Sequence, residues 1–328
     1  MRFLAICFTV LSLLMTSASA QCAGENLIDA LPQPERSALL AAAHAAPFAT
    51  GNLWQATRGD ETLYLSGTYH LNDPRHDAYM ATLLPLLEKS KTLLVEAGPE
   101  EEKALLNKLN IDPAAMVDMA GSGLKSALSP AEWEALTAAL LQRAIPSSLA
   151  EKLRPWFISM MLAIPPCALQ IAASGGGLDK RLIAAASARG LAIKALEPFD
   201  TALRLFDGLT MDEQLTMIRN ALLIEEHADD FLSTTADAYF AGERRLIWEF
   251  SRLLAKDMPG ASAAQIDADF DKAEEALMAS RNRDWITRIE AALVDGPAFA
   301  GFGALHLSGQ AGVLALLQVQ GFTVQRLD

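Results

Sequence analysis

Two short segments with the same glycine and histidine spacing lie near opposite ends of this 328-residue chain. They are Gly67-Thr68-Tyr69-His70 and Gly303-Ala304-Leu305-His306, and each follows an apolar run typical of a strand. Glycine lets the backbone turn sharply where a strand ends, so each segment places an imidazole at the carboxyl end of its strand. Because ligands of α/β sheets bind along that edge, the two Gly-x-x-His segments indicate two halves of one site.

Two glutamates occupy comparable positions. Glu96 and Glu197 each follow a short strand-like run. If the carboxyl ends of these strands align, both carboxylates lie beside His70 and His306. Two imidazoles with one or two carboxylates form a ligand set suited to Zn, Mn, Co or Fe. Such an ion lowers the pKa of bound water and polarises a carbonyl or phosphoryl oxygen, while a spare glutamate accepts the proton.

Simpler roles for these residues stay open at this point. Either histidine could cap its strand through hydrogen bonds to the backbone, and either glutamate could cap the helix that follows it. Three further histidines are expected outside the site. His76 is expected in an exposed polar loop, where the neighbouring Arg75 could face the site, and we expect structural roles for His44 and His227.

The first twenty residues are typical of a secretory signal peptide. Arg2 precedes an apolar run, and Ala18-Ser19-Ala20 forms a small-residue cleavage site. Gln21 disfavours a lipid anchor on Cys22, and no later apolar run approaches a membrane-spanning length. We therefore expect a soluble periplasmic or secreted protein.

The charge of the chain limits its partners. The net charge of −13 becomes −14 when Arg2 is removed with the leader. So acidic a protein is not expected to bind nucleic acid or anionic membrane surfaces. Its oligomeric state is left open by the sequence.

Two cysteines remain after cleavage of the leader. Cys22 and Cys167 most simply form one disulfide in an exported protein, pinning the N-terminal arm to the apolar segment before Cys167. The alternative is a metal-binding or catalytic thiol. No histidine or other cysteine lies near either residue at metal-ligand spacing.

Helical periodicity dominates the chain, and the strand-like segments cluster at 53–96, 191–197 and 298–327. We therefore predict a mixed α/β fold whose small central sheet combines N-terminal, middle and C-terminal strands. Residues 21–328 are expected to form one domain, with large helical insertions at about 99–175 and 200–293. The last strand, helix and strand predict a right-handed parallel crossover.

Several local features follow from turn and capping residues. The first two strands are expected to form a hairpin across Arg58-Gly59-Asp60, and Ser129 is expected to cap a helix. Helices are also predicted over 147–164, 236–254 and 264–293, with a break at Pro259-Gly260. The glycine run 175–177 could bind an anion before the next helix or serve as a flexible join. Common hydrolase, phosphate-binding and paired-cysteine motifs are absent from the sequence.

In its ordered set of motifs the chain resembles the TraB/GumN family, which includes the Tiki-type membrane proteases. The similar blocks run from about residue 50 to the C-terminus. They are Leu65-Ser66-Gly67-Thr68-Tyr69-His70, Leu94-Val95-Glu96, Gly177-Leu178-Asp179, Leu196-Glu197, Arg281-Asn282 and Gly303-Ala304-Leu305-His306-Leu307, followed by Gly309, Gly312 and Gly321.

This resemblance implies a metal-dependent, hydrolase-like core. Carried over by position, His70, Glu96 and His306 are the candidates for metal binding or catalysis. Arg281 would steady a carboxylate or an anionic intermediate, and Glu197 would support the same edge of the sheet. The chain is expected to depart from the Tiki pattern, because no membrane anchor is predicted from its sequence.

These observations lead to one functional expectation and two alternatives. We expect an exported hydrolase that depends on Mn, Co or Zn and acts on a peptide or another small polymer, with Glu96 or Glu197 as the base. The first alternative is a non-catalytic periplasmic binding or accessory protein that handles polysaccharide or peptide. The second is a metal-independent esterase that uses a histidine base.

Overall fold

The computed structural model describes residue 22 and residues 24–121, 123–173, 175–256 and 262–328. The predicted signal peptide and the predicted break at Pro259-Gly260 lie outside the described residues. Within them the chain has a mixed α/β fold, as predicted, with one sheet and many helices.

The sheet has six strands in the order β4-β3-β5-β2-β1-β6. Strands β4, β3, β5 and β2 are mutually parallel, whereas β1 runs antiparallel to both β2 and β6. The sheet therefore combines N-terminal, middle and C-terminal segments, as the sequence predicted. The strands are β1 (Leu53–Arg58), β2 (Glu61–Thr68), β3 (Thr92–Val95), β4 (Ala192–Ala195), β5 (Ala298–Gly303) and β6 (Thr323–Arg326).

Local sequence explains several features of these strands. The predicted hairpin between β1 and β2 is confirmed, and Gly59 supplies its left-handed turn with a φ of 57°. Strands β3 and β5 are apolar and buried along almost their whole length, as expected for parallel strands covered on both faces. Strand β6 runs in the same direction as β5, but two strands separate them, so it pairs with β1.

Helices cover both faces of the sheet. On one face, α15 and α16 contribute Trp285, Ile289 and Leu314 to a core built on β1, β2, β3 and β5. On the other face, α2 and α9 contribute Leu83 and Leu182. A third apolar core is formed by residues of the first helical insertion together with residues of α11, which belongs to the second insertion. The insertions therefore pack on each other as well as on the sheet.

Sixteen α-helices fall within the described residues. Up to β4 they are α1 (Gln33–His44), α2 (His76–Glu88), α3 (Pro99–Ile111), α4 (Leu124–Ala127), α5 (Pro130–Gln142), α6 (Ser147–Ala150), α7 (Pro155–Leu162), α8 (Leu169–Ala173) and α9 (Leu178–Ala188). After β4 they are α10 (Thr201–Asp207), α11 (Met211–Ile224), α12 (Ala228–Phe240), α13 (Arg244–Lys256), α14 (Ala263–Glu274), α15 (Ser280–Leu293) and α16 (Val313–Val319).

Helix boundaries show where the sequence reasoning succeeded and where it failed. Ser129 caps α5 as predicted, in a reciprocal capping box with Glu132. The single helix predicted over 147–164 is wrong, because Pro155 lacks a backbone N–H and begins a separate helix, α7. The helix predicted over 236–254 is also interrupted, at Gly242, whose φ is 74°.

The structure places the two cysteines next to each other. The sulfurs of Cys22 and Cys167 lie at disulfide distance, with their Cα atoms 5.4 Å apart, as the disulfide prediction requires.

Among the described residues no single helix has the length and apolarity to cross a membrane. One bent pair, Pro155–Leu162 with Pro166–Ala188, meets those criteria by length and composition alone.

Gly176 and Gly177, the last two glycines before α9, are tightly packed, whereas Gly175 has open space around it. A Cβ atom on Gly177 would overlap the backbone carbonyl of His70. The next residue, Leu178, donates its N–H to the carbonyl of Tyr69 at 3.0 Å. Gly177 therefore lets α9 begin directly against the segment that carries His70.

Substitution Gly177→Ala is expected to lower the free energy of unfolding by about 1–3 kcal/mol, because the new methyl group forces the backbone at His70 to move. The matched control is Gly208→Ala at the end of α10, where φ is −76° and the nearest atom to an added Cβ is 3.5 Å away. Urea unfolding measures both. Equal midpoints for the two variants would contradict this packing argument.

Candidate functional site

The parallel pairing of β2 with β5 brings the two Gly-x-x-His segments side by side. In this register Gly67 lies opposite Phe302, and Thr68 lies opposite Gly303. A Cβ on Gly67 would come within 2.9 Å of the Cα of Ala304, so glycine permits this close approach. Both histidines consequently follow the carboxyl ends of adjacent strands, as the sequence predicted.

His70 is held by a carboxylate from α9. Its Nδ1 lies 2.7 Å from Oδ2 of Asp179, and Thr68 donates its hydroxyl to Oδ1 of the same residue at 2.5 Å. The ring therefore donates through Nδ1, and its Nε2 faces Gly303. Asp179 was assigned no role from the sequence. Its position after Gly177-Leu178, in the first turn of α9, is the only signal there.

His306 is buried, and its orientation is fixed by Asn282. The amide nitrogen of Asn282 donates to the carbonyl of Ala311 at 2.9 Å, so its Oδ1 accepts a hydrogen bond from His306 Nδ1 at 2.6 Å. This leaves the lone pair of His306 on Nε2. The ring also packs on Trp285, with the centroids 4.4 Å apart. Sequence reasoning assigned no role to Asn282.

Glu96 lies between the two histidines, one residue beyond the end of β3. Its Oε1 accepts the backbone N–H of Gly303 at 2.6 Å and lies 3.9 Å from Nε2 of His306. Its Oε2 accepts a hydrogen bond from Arg281 at 2.7 Å. The helix-capping alternative is not what the structure shows, because the N-terminus of α3 is closed by Glu101.

Arg281 joins Glu96 to Glu197. Its guanidinium makes a bidentate pair with Glu197 at 2.8 and 2.9 Å while it also contacts Glu96. A third contact places its Nη1 3.3 Å from Nε2 of His306. All four sequence-predicted residues of the sheet edge, together with Arg281, therefore lie in one cluster.

The charges in this cluster separate the two histidines. Desolvation favours the neutral ring of His70, but the hydrogen bond to Asp179 and its negative charge outweigh this effect and raise the pKa to about 9. Burial, aided by Arg281, lowers the pKa of His306 to about 4. One ring is therefore cationic and the other neutral near neutral pH.

The carboxylates respond to the same charges. Desolvation alone would raise the pKa of Glu96, but His306, His70 and Arg281 together lower it to about 2, because both rings are cationic at the acidic pH where Glu96 titrates. Desolvation raises the pKa of Glu197 in spite of its pairing with Arg281.

Gly303 marks the point on which these groups converge. A Cβ at this position would lie 3.1 Å from Oε1 of Glu96 and 3.4 Å from Nε2 of His70. It would also lie 3.6 Å from the ring of His306. The absence of a side chain at Gly303 therefore leaves room for a reacting group among the three residues.

A cavity of about 750 Å³ opens from this cluster into the helical insertions. His70, Glu96, Arg281 and His306 line one end of it, whereas Glu197 lies behind Arg281 and does not line it. The remaining wall is mainly apolar and comes from α7 and α11–α14. Its apolar residues include Leu162, Ile224, Phe231, Ile247, Leu254 and Phe270.

The other residues considered from the sequence lie outside the cluster. The expectation of an exposed loop for His76 is wrong. This residue begins α2, is fully buried against Tyr239 and Phe240, and pairs with the carbonyl of Leu71. Arg75 pairs with carboxylates and does not line the cavity. His44 and His227 pair with surface acids, as their structural roles require.

Substitution Asp179→Asn is expected to lower the pKa of His70 towards its ordinary value of 6.5, because the neutral amide cannot stabilise the imidazolium. The pKa of His306 serves as the internal control and should stay low. Proton NMR titration of the metal-free protein measures both rings. A His70 ring that is already neutral at pH 7 in the unsubstituted protein would contradict this description.

Comparisons with known proteins agree with this geometry at the level of the family. No curated protein gave a significant match to the sequence. The model of the TraB/PrgY/gumN family matches residues 52–326, a range that contains every strand of the sheet and every residue of the cluster. The chain therefore belongs to the TraB/PrgY/gumN family.

Proposed function

We propose that this protein is an exported hydrolase of amide bonds, most directly a peptidase, that works with a divalent metal ion. The observation that supports this proposal best is the convergence of Nε2 of His70, the ring of His306 and the carboxylate of Glu96 around Gly303, at one end of a cavity. Histidine and carboxylate ligands suit Mn, Co or Zn.

The donor chemistry fits such an ion. His70 and His306 each use Nδ1 in a hydrogen bond to a fixed side chain, Asp179 or Asn282, and direct Nε2 towards the cluster. Partners of this kind are typical of metal-binding histidines. When bound, the ion would polarise a carbonyl oxygen and lower the pKa of a water molecule.

The positions of these donors also show what ion binding requires. The ligand atoms of His70, Glu96 and His306, as placed, do not all lie within 4.8 Å of one another. One ligand must therefore move inwards, and His70 has the most exposed side chain of the three, at 66 %. Arg281 must also release Nε2 of His306, which it contacts at 3.3 Å. His70, which is cationic near neutral pH, must lose the proton on its Nε2.

The other residues take distinct parts in this proposal. Glu96 lines the cavity and is the carboxylate that could hold the ion, whereas its pKa of about 2 makes it a weak proton acceptor. Glu197 lies behind Arg281 and holds that guanidinium in place. Arg281 then faces the cavity, where it can stabilise negative charge on a carbonyl oxygen during attack.

One observation favours a second candidate, a metal-independent hydrolase. His70 and Asp179 form an imidazole–carboxylate pair, an arrangement that orients a histidine base in hydrolases that use no metal. In that case Arg281 remains paired with His306. Cleavage would then depend on the neutral form of His70, so it would rise with pH towards the pKa of about 9, and it would persist without an ion.

Export is part of the proposal. The leader-like first twenty residues and the disulfide-distance pair Cys22 and Cys167 both suit a protein that functions in the periplasm or outside the cell. The alternative of a non-catalytic binding protein keeps the same fold and cavity and differs only in the absence of turnover.

Purified protein stripped with a chelator and reloaded with Mn, Co or Zn should hydrolyse members of a peptide library. Substitutions His70→Ala and His306→Ala should each lower kcat/KM by about 100-fold or more, the effect expected when a side chain that takes part in catalysis is removed. His227→Ala is the matched control, because its side chain is also 66 % exposed and lies outside the cluster.

The outcomes separate the candidates. Activity that survives chelation but not His70→Ala would favour the metal-independent hydrolase. A stoichiometric metal by elemental analysis, with no turnover of peptides or esters, would favour the binding protein. Turnover unaffected by either histidine substitution would contradict the site itself.

A further inference from the structure

The walls of the cavity offer almost nothing to a peptide backbone. Beyond the cluster they come mainly from helices, whose backbone N–H and C=O groups are already paired within each helix. Among the described lining residues, those from strands are Thr68 and Gly303, at the end of the cavity that holds the cluster. A peptide buried between the helices would leave its amide groups unpaired, at a substantial cost in free energy.

Most polar side chains in the wall already make hydrogen bonds within the protein. The hydroxyls of Ser159, Thr235 and Ser251 each donate to a carbonyl of their own helix, at 3.1, 2.8 and 2.9 Å. Among the described wall residues beyond the cluster, Asn220 and Tyr69 are exceptions, because neither the amide nor the hydroxyl makes a hydrogen bond with the described chain. A ligand therefore meets mainly hydrocarbon.

The charged residues beyond the cluster are likewise neutralised or inaccessible. Glu225 is held in a bidentate pair by Arg143, at 2.6 and 3.0 Å. Arg244 is fully buried and donates to the carbonyl of Phe48. The Nε and Nη1 atoms of Arg244 have no hydrogen-bond partner within the described chain, but they have almost no accessible surface, so they are not presented to a ligand in the cavity.

We propose that the cavity binds a hydrocarbon chain, and that the substrate is an N-acylated peptide or amine whose acyl carbonyl lies among His70, Glu96 and His306. This inference rests on the proposed hydrolase function and names its substrate class. A volume of about 750 Å³ falls within the range of cavities that enclose a small ligand. The acyl chain enters between α7, α11 and α13, and the polar part stays outside.

The reaction is an ordinary hydrolysis. Water adds to the acyl carbonyl, the bond from that carbon to nitrogen breaks, and the nitrogen leaves as an amine after taking a proton. The acyl group leaves as a carboxylic acid. No oxidant, reductant or further co-reactant is needed.

The test uses the full chain with N-acetyl-, N-hexanoyl-, N-octanoyl- and N-decanoyl-alanine, and follows release of alanine. Each pair of added CH₂ groups should raise kcat/KM roughly tenfold until the cavity is filled, as expected for burial of hydrocarbon. Trialanine serves as the substrate without an acyl chain. Equal rates for all four acyl compounds, or a preference for trialanine, would overturn the inference and leave the peptidase proposal standing.

A matched pair of variants tests the position of the chain. Ile224→Trp places an indole in the cavity from α11, whereas Leu223→Trp places the same ring on the adjacent position, which is 52 % exposed. Ile224→Trp should abolish the gain from hexanoyl to decanoyl, and Leu223→Trp should keep it. A gain that survives in both variants would overturn this assignment of the cavity.

Measurements of binding affinity distinguish a failure of the hydrocarbon-binding proposal from a failure of the proposed hydrolase function. Calorimetry with decanoyl-alaninamide and acetyl-alaninamide measures affinity whether or not either compound is cleaved. Tighter binding of the decanoyl compound that is lost in Ile224→Trp supports the hydrocarbon site even if hydrolysis fails. Equal affinities overturn it even if peptides are cleaved.

Discussion

The arrangement of the site depends on the contacts of the Arg281 guanidinium, whose side chain is 17 % exposed. This guanidinium comes from α15, and it binds two carboxylates that follow the ends of β3 and β4. Glu96 and Glu197 would repel each other in this setting without a cation between them. The same guanidinium contacts His306, so one side chain links the second helical insertion to three strands of the sheet.

The helix geometry before Arg281 helps to place it. A π-helical turn at Glu275–Ala279 lies between α14 and α15, and Arg281 donates to the carbonyl of Leu277 within that turn. Such turns occur often at functional sites because they shift the helical register locally. Within α15, Arg281 and Asn282 lie one turn before Trp285, so the helix face that packs into the core at Trp285 also carries the two residues that contact the cluster.

Much of this arrangement could be predicted from the sequence, because strand-like runs followed by Gly-x-x-His or by glutamate carry local information. Residue order alone could not supply the partners of those side chains. The pairing of His70 with Asp179 joins residues on different elements, and the fixing of His306 by Asn282 depends on the packing of α15. His76 was placed wrongly, since a polar stretch of sequence does not reveal that α2 begins under Tyr239 and Phe240. The cavity could not be predicted either, because sequence periodicity does not show whether an apolar helix face packs against another element or lines a cavity.

A double-mutant cycle on Arg281→Met and Glu197→Gln tests the central contact most directly, with urea unfolding as the measurement. Breaking one side of a buried ion pair costs about 3–5 kcal/mol when the remaining charge is left uncompensated. The sum of the losses of unfolding free energy in the two single variants should therefore exceed the loss in the double variant. The expected difference is about 1 kcal/mol or more, the coupling expected of directly interacting residues. Strictly additive losses would show that Arg281 and Glu197 act independently, and would contradict the account of how this site is held together.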